Sequence, residues 1–528
     1  MQLLHSSAFL VFVTILAAVS VLGFFGARWR RGDLDQLDEW GLGGRQFGTL
    51  ITWFLVGGDF YTAYTIIAVP ALVFGTGAMG FFALPYTIIV YPFVFLAMPR
   101  LWAVARKHGY ITPADFVQGR YGSRTLATLV ALTGITATMP YIALQLAGMG
   151  AVLAQLGLTG NSWVQQDLPL VIAFLVLALY TYSSGLRAPA IIAIVKDILI
   201  YIVVIAAIVI IPAKAGGYTH IFSAADAVWS RQGTASLILL PRDYTAYASL
   251  ALGSALAAFM YPHTVTTMLA SSSGKVIRRN AVLLPAYTFL LGLIALFGVV
   301  AVAAGIHPAT SSGVVPELMT RFFSPWFTGL AFAAIALAAM VPAAIMSIGA
   351  ANLFTRSIYR AWFRPHATAQ QESRVAKNVS FGVKFGALLF VFTSSHDFVI
   401  NLQLLGGIWI LQTFPAITFG LWKRVFHHQA LIAGWVAGMA TGTSMAAALR
   451  LHSSVYALTI GGVSIRLYAG IWALMANILI VWLISTFLDH ANIPRNYDET
   501  TLADYQDEWD GSGAAISNDV ISCERIEA

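Results

Sequence analysis

The residues best placed to do chemistry are a few polar side chains set inside long apolar runs. Asp59 stands in Val56-Gly57-Gly58-Asp59-Phe60-Tyr61-Thr62-Ala63-Tyr64-Thr65, with Pro70, Gly75, Gly77 and Gly80 following. The paired glycines weaken a helix, four hydroxyl residues cluster after them, and charge at bilayer depth is costly enough to mark function by default. The composition predicts a discontinuous helix whose freed carbonyls and half-helix ends bind an ion or solute near the midplane. Beside that stands a structural reading, in which Asp59 caps a half-helix or bonds a neighbouring span. A second break falls at Phe259-Met260-Tyr261-Pro262-His263-Thr264-Val265-Thr266-Thr267, where proline removes a backbone bond just ahead of a polar run. His263 is either a proton-titrating group or a histidine bonded to a carbonyl freed by the kink. Tyr141 and Gln145 share a helix face at i and i+4, near Met139-Pro140, Gly148 and Gly150; such residues either line a cavity or join helices. Lys196-Asp197 reads as a buried ion pair or as two groups with partners elsewhere, and Asp397 lies near enough to a span end to reach water.

These side chains need a scaffold, and the composition names it. Of 528 residues 58% are hydrophobic and 10% charged, with a mean hydropathy of +0.76, against roughly 45–50% and about 25% in soluble domains. An apolar excess of this size needs lipid, and spanning helices of about 20 residues are expected. Thirteen stretches qualify: 8–27, 48–74, 81–103, 125–157, 165–184, 189–212, 247–270, 281–304, 326–355, 381–400, 403–422, 429–449 and 467–488. Lys384 interrupts the tenth. The first resembles a signal peptide in length, but Arg28, Arg30 and Arg31 follow it and no basic residue precedes it, so it is expected to be a retained helix with its N-terminus outside. Thirteen crossings then place the C-terminus inside. The loop charges agree: only Lys214, Arg231, Arg242, Arg321, Arg450 and Arg466 fall outside, against twenty basic residues inside, from Arg28 and Arg45 through Arg106, Arg120, Arg187, Lys275, Arg356 and Arg364 to Arg424.

The net charge of +7 is thereby a topology signal and not a nucleic-acid one. A single cysteine, Cys523, excludes a disulfide scaffold and Cys-x-x-Cys chemistry. A phosphate-cradling loop, paired metal ligands and a nucleophile triad are all missing from the sequence, so neither a nucleotide-driven pump nor an enzyme is expected. The outside loop 213–246 has mixed charge and room for a short helix over the pore mouth. Beyond Leu488 the chain turns acidic (Asp489, Asp498, Glu499, Asp504, Asp507, Glu508, Asp510, Asp519, Glu524, Glu527) and is expected to be disordered. Its shortness argues against a sensor fused to a kinase.

In combination, several motifs resemble the sodium/solute symporter family. They are Leu42-Gly43-Gly44-Arg45, Gly58-Asp59-Phe60, Gly109-Tyr110-Ile111-Thr112-Pro113-Ala114-Asp115-Phe116 with Arg120-Tyr121, Pro262-His263, and Thr355-Arg356-Ser357-Ile358-Tyr359-Arg360, in family order across residues 40–490. The stretch from Gly58 to Ala63, Tyr141 to Gly150, and the Lys196 position look most like the acetate and monocarboxylate permeases. The resemblance implies an all-α polytopic membrane protein with a leucine-transporter-like 5+5 inverted repeat built from spans two to eleven. It divides the chain into 1–47 (first helix and cytoplasmic loop), a ten-helix transport core at 48–424, two further helices at 425–488, and the tail at 489–528.

The same resemblance implies a solute site drawn from Thr62, Ala63, Thr65, Tyr141, Gln145, Tyr261, His263 and Thr264. It implies ion coupling through Asp59, Gly58, Thr62, Ala343 and Ser347, with sodium held by backbone oxygens of Gly58 and Thr62. One departure bears on the ion: Val341 and Pro342 stand where sodium-coupled members carry adjacent hydroxyls in span nine. Sodium and proton coupling are therefore both carried forward, with Asp59 and His263 as the proton candidates. Thr267 also replaces an arginine of related permeases. For a short monocarboxylate, a half-helix N-terminus supplies N–H donors, and Thr62, Thr65 and Thr264 can hold a 2-hydroxyl or 2-keto oxygen. The expected activity is import of pyruvate-, lactate- or acetate-type acids through the inner membrane by alternating access, with no cofactor beyond the coupling ion. Symport of an amino acid or neutral solute is the alternative. A proton-pumping respiratory subunit is a third reading, which requires more mid-membrane charge than Lys196 and Lys384 provide.

Overall fold

A computed structural model of the chain describes residues 7–29, 32–158, 163–233, 235–393 and 396–506. Arg30, Arg31, Cys523 and the acidic residues from Asp507 onward lie outside the described residues, as does the side chain of Asp397. Among the described residues ten helices are long and apolar enough to cross a membrane, and two shorter apolar ones, Thr49–Phe60 and Leu168–Ser184, accompany them. Their outer faces carry exposed Leu10, Val21, Ile198, Val209, Leu479 and Trp482, an arrangement that suits lipid and not water.

The expected count of about thirteen spans is approximately met, because several are assembled from pieces. Span two is Thr49–Phe60, a break, a π-turn at Tyr64–Ala68 and Val69–Thr76. Span seven is Tyr244–Ala258 and Pro262–Leu269. Span eight bends at Leu284 between Gly274–Leu283 and Pro285–Ala303. Spans three, four, five, six and nine are Ala83–His108, Arg124–Gln155, Trp163–Ser184, Arg187–Lys214 and Pro325–Phe354. The two broken spans each open a set of five, and the four spans between them make them run in opposite directions. Span nine is the axis of the bundle: its alanine-rich surface is buried on every side and lets spans four, six and one pack closely.

Two loop faces result. One gathers Arg45, Arg106, Arg120, Arg187, Arg356 and Arg424 and is called the basic face below. There Pro113–Tyr121 is capped by a Thr112–Asp115 capping box, and Arg356 ties it to the end of span nine through Gly109 O (3.0 Å), Asp115 (3.6 Å) and Glu372 (3.0 Å). The opposite face carries the 213–246 loop, whose expected short helix is Tyr218–Gln232, with Trp229 bonded to Phe74 O at 3.3 Å.

Three expectations need correction. Residues 396–400, read as the end of span ten, belong instead to the helix His396–Ile410 that starts span eleven, while the helix of span ten is Ala369–Thr393. Residues 369–380 are too polar to read as a span, but they extend the helix onto the basic face, where Glu372 pairs with Arg356 and Arg360. The all-helical reading misses an antiparallel hairpin between spans twelve (His428–Ala448) and thirteen (Ala469–His490): β1 Val455–Ile460 and β2 Val463–Tyr468. Finally, residues 491–506 of the acidic tail are docked and not disordered. Asn496 bonds Gly122 O, Asp498 pairs with Arg120 at 2.7 Å, Glu499 N–H bonds Gly119 O, and Asp504 meets Lys107 at 2.5 Å and His108 at 2.8 Å. Asp498 and Asp504, which composition reads as solvating, instead neutralise part of the basic rim.

Candidate functional site

The first break forms where the sequence offers least resistance to it. Gly57 has no side chain because a Cβ there would sit 2.0 Å from the Tyr287 ring. The helix ends at Phe60, and Tyr61 leaves it at φ −87°, ψ 80°. Several of the freed backbone groups find partners, as burial favours. Ala63 N–H donates to Gln145 Oε1 at 2.9 Å, Tyr64 N–H donates to Thr62 Oγ1 at 3.0 Å, and Thr65 Oγ1 donates to Phe60 O at 2.5 Å. The carbonyls of Gly58 and Tyr61 accept from Lys196 Nζ at 3.2 and 3.0 Å. Lys196 also pairs with Asp197 at 2.7 Å, and Asp197 accepts from the Tyr287 hydroxyl at 2.7 Å. The two sequence readings of Lys196-Asp197 thus both hold: the residues pair, and each has further partners.

The second break brings its polar run against the first. Pro262 occupies the first turn of Pro262–Leu269, where its missing N–H is harmless. Thr264 Oγ1 reaches Asp59 Oδ2 at 3.4 Å, and His263 Nε2 lies 3.9 Å from the same oxygen. Asp59 Oδ1 and His263 Nδ1, both buried, have no hydrogen-bond partner among the described residues. Tyr141 and Tyr261 pack their rings against His263 at 5.4 and 5.2 Å. Between the breaks lies a cavity of about 40 Å³ lined by Asp59, Phe60, Tyr64, Tyr86, Tyr141, Ser254, Tyr261, His263, Thr264, Gln403 and Tyr468, among others. Tyr86, Ser254 and Tyr468 place it in the half of the bundle nearer the hairpin. Tyr468 is pinned by its hydroxyl to Leu404 O at 2.6 Å.

Of the residues expected from sequence, the structure brings Asp59, Tyr141, Tyr261, His263 and Thr264 to the cavity wall. Gly58, Thr62, Ala63, Thr65 and Gln145 are engaged at the break itself. Gln145 in particular has its oxygen committed to Ala63 and its nitrogen to Tyr141 O at 3.3 Å. Ala343 and Ser347 are buried in span nine, away from the wall; Ser347 donates to Ala344 O at 2.7 Å and accepts from Ser380, which accepts from Lys384. Sequence reasoning missed Tyr64, Tyr86, Ser254, Gln403 and Tyr468. Gln403 left a signal, an amide entering an apolar span, whereas Tyr86 and Tyr468 read like ordinary interfacial aromatics.

The model of the sodium:solute symporter family matches residues 40–438. The chain belongs to that family. It is 56% identical to a monocarboxylate transport permease protein of Rhizobium johnstonii, over 92% of this chain and 98% of the relative. It is 31% identical to an uncharacterized symporter of Bacillus subtilis, YodF, over 91% and 93% of the two chains. A solved structure of a Na+-coupled sialic acid symporter, in a substrate-bound outward-open state, superposes with a TM-score of 0.71 at 16% identity, covering 91% of this chain and 98% of that one. The shared fold is that of a multi-pass membrane symporter.

The family name puts sodium in question, and the expected seat does not fit it. Of its two expected backbone oxygens, that of Gly58 already accepts from Lys196 Nζ, as does the neighbouring Tyr61 O, and Val341 and Pro342 bring no side-chain oxygen.

Proposed function

We propose that the chain is a secondary active symporter that imports short monocarboxylates of the pyruvate, lactate and acetate type, coupled to a cation gradient, by alternating access. The observation that carries this reading is the small cavity where the two broken spans meet. At about 40 Å³, it has room for a few waters at about 10–15 Å³ each, which suits a solute of few heavy atoms and not a sugar. Its donors are neutral: tyrosine hydroxyls, Thr264, His263 and the Gln403 amide. Among the described residues no lysine or arginine lines it. The relative named as a monocarboxylate transport permease supports the same substrate class.

An anion in this cavity sits beside Asp59. Two like charges in a low-dielectric site repel strongly, so Asp59 holds a proton when the monocarboxylate is bound, and anion and proton enter together. The basic face is the cytoplasmic one by the bias of Lys and Arg toward inside loops, which sets the N-terminus outside, the C-terminus inside and the cavity toward the outer side. The Arg356–Asp115–Glu372 network then seals the inner side.

A second reading rests on one atom. The unpartnered Asp59 Oδ1 suits an ammonium group, and hence an amino acid. Competition separates the two: in proteoliposomes, excess unlabelled lactate and acetate should suppress labelled pyruvate uptake while alanine leaves it unchanged. Suppression by alanine alone would favour the amino-acid reading.

A further inference from the structure

The Lys196 side chain ends among three partners: Gly58 O at 3.2 Å, Tyr61 O at 3.0 Å and Asp197 Oδ1 at 2.7 Å. Two are carbonyls that accept hydrogen bonds and the third is a carboxylate oxygen at ion-pair distance, a set of neighbours that suits an ammonium. The two carbonyls lie at the C-terminal end of the first half-helix, where backbone dipoles leave partial negative charge. In secondary transporters, such half-helix ends and unwound carbonyls are where a coupling sodium is held. Span nine, which packs against spans two and six, would have to complete the shell, and at Val341 and Pro342 it has no side-chain oxygen to give. Gly58 keeps the approach open, since even a Cβ there would come within 3.3 Å of Nζ. The charge is balanced on the spot by Asp197, whose other oxygen accepts from Tyr287.

We infer that Lys196 is a tethered cation filling the place a coupling sodium takes in this family, so that transport by this chain runs without sodium. The inference rests on the symport reading above and deepens it: Lys196 is a positioning residue that holds the broken helix together as a bound ion would. The coupling ion is then a proton taken up elsewhere, at Asp59.

The test uses full-length purified protein and sodium titration. For wild type, melting temperature in detergent and pyruvate accumulation in proteoliposomes under a proton gradient are expected to be the same in sodium chloride and choline chloride. A tenfold or greater stimulation of uptake by sodium, or a sodium-dependent rise in melting temperature, would overturn the inference. Lys196→Ala empties the seat and Lys196→Met fills it without charge. Sodium, and not choline, is expected to raise the melting temperature of the alanine variant and leave the methionine variant unchanged; equal responses of the two would reduce Lys196 to a packing residue. If either variant fails to fold, the wild-type sodium titration decides alone. Should pyruvate not be transported under any gradient, the substrate reading falls, while the melting-temperature titration still judges Lys196 without any solute.

Discussion

At the scale of single residues, Asp59 and Gln145 illustrate how much a side-chain type can and cannot say. Asp59 was legible because a carboxylate in an apolar run next to two glycines has few reasons to be there, and the structure gives it a free oxygen facing a cavity. Asp59→Asn keeps the shape and removes the titratable proton. Accumulation driven by a proton gradient is expected to fall at least tenfold, while exchange of labelled for unlabelled pyruvate persists; retained accumulation would make Asp59 structural. Gln145 has the same polar-in-apolar signature, but its amide is used up by the break. Gln145→Ala strands the buried Ala63 N–H, so the expected effect is a loss of stability of about 1–3 kcal/mol, read as reduced yield and melting temperature. A changed KM in protein of normal stability would instead return Gln145 to the solute. Sequence could not separate the two cases, because the partner of Gln145 is a backbone group 82 positions away.

Whole elements were legible where one physical signal dominated. Both broken spans were written in glycine, proline and clustered hydroxyls, and both are broken in the structure. The hairpin carries a signal of its own, since Val455–Ile460 and Val463–Tyr468 are rich in β-branched residues and joined by Gly461-Gly462, a turn pair, but it is short and lies between two long apolar runs whose signal dominates. The tail was misjudged because composition cannot show that its acids face a basic rim. Burial would lift the Asp504 carboxyl, but bonds from Lys107, His108 and Thr501 outweigh it and hold the group well below the ordinary carboxylate range. A carboxylate lowered in this way stabilises docking fully above its unfolded value of about 4, and that contribution disappears as pH falls through the lower folded value. The hydrogen-exchange protection factors of residues 496–505, corrected for the intrinsic rate, are therefore expected to be equal at pH 7 and pH 5.5, with protection lost only under strongly acid conditions. Loss of protection already at pH 5.5 would show that Asp504 does not hold the tail.

For the whole molecule, the orientation proposed above from the loop charges, with the basic face cytoplasmic and the hairpin outside, makes a direct prediction. Ser464 is exposed on β2, so Ser464→Cys in a Cys523→Ser background is expected to react with an impermeant thiol reagent in intact cells. Labelling only after the membrane is opened would invert the orientation. The claim that unites the cavity, the breaks and the family is coupled monocarboxylate symport. The most direct measurement follows labelled pyruvate in sodium-free proteoliposomes with an inward proton gradient. Accumulation above equilibrium that a protonophore abolishes is the expected result. Folded protein that accumulates no pyruvate under a proton or a sodium gradient would contradict it.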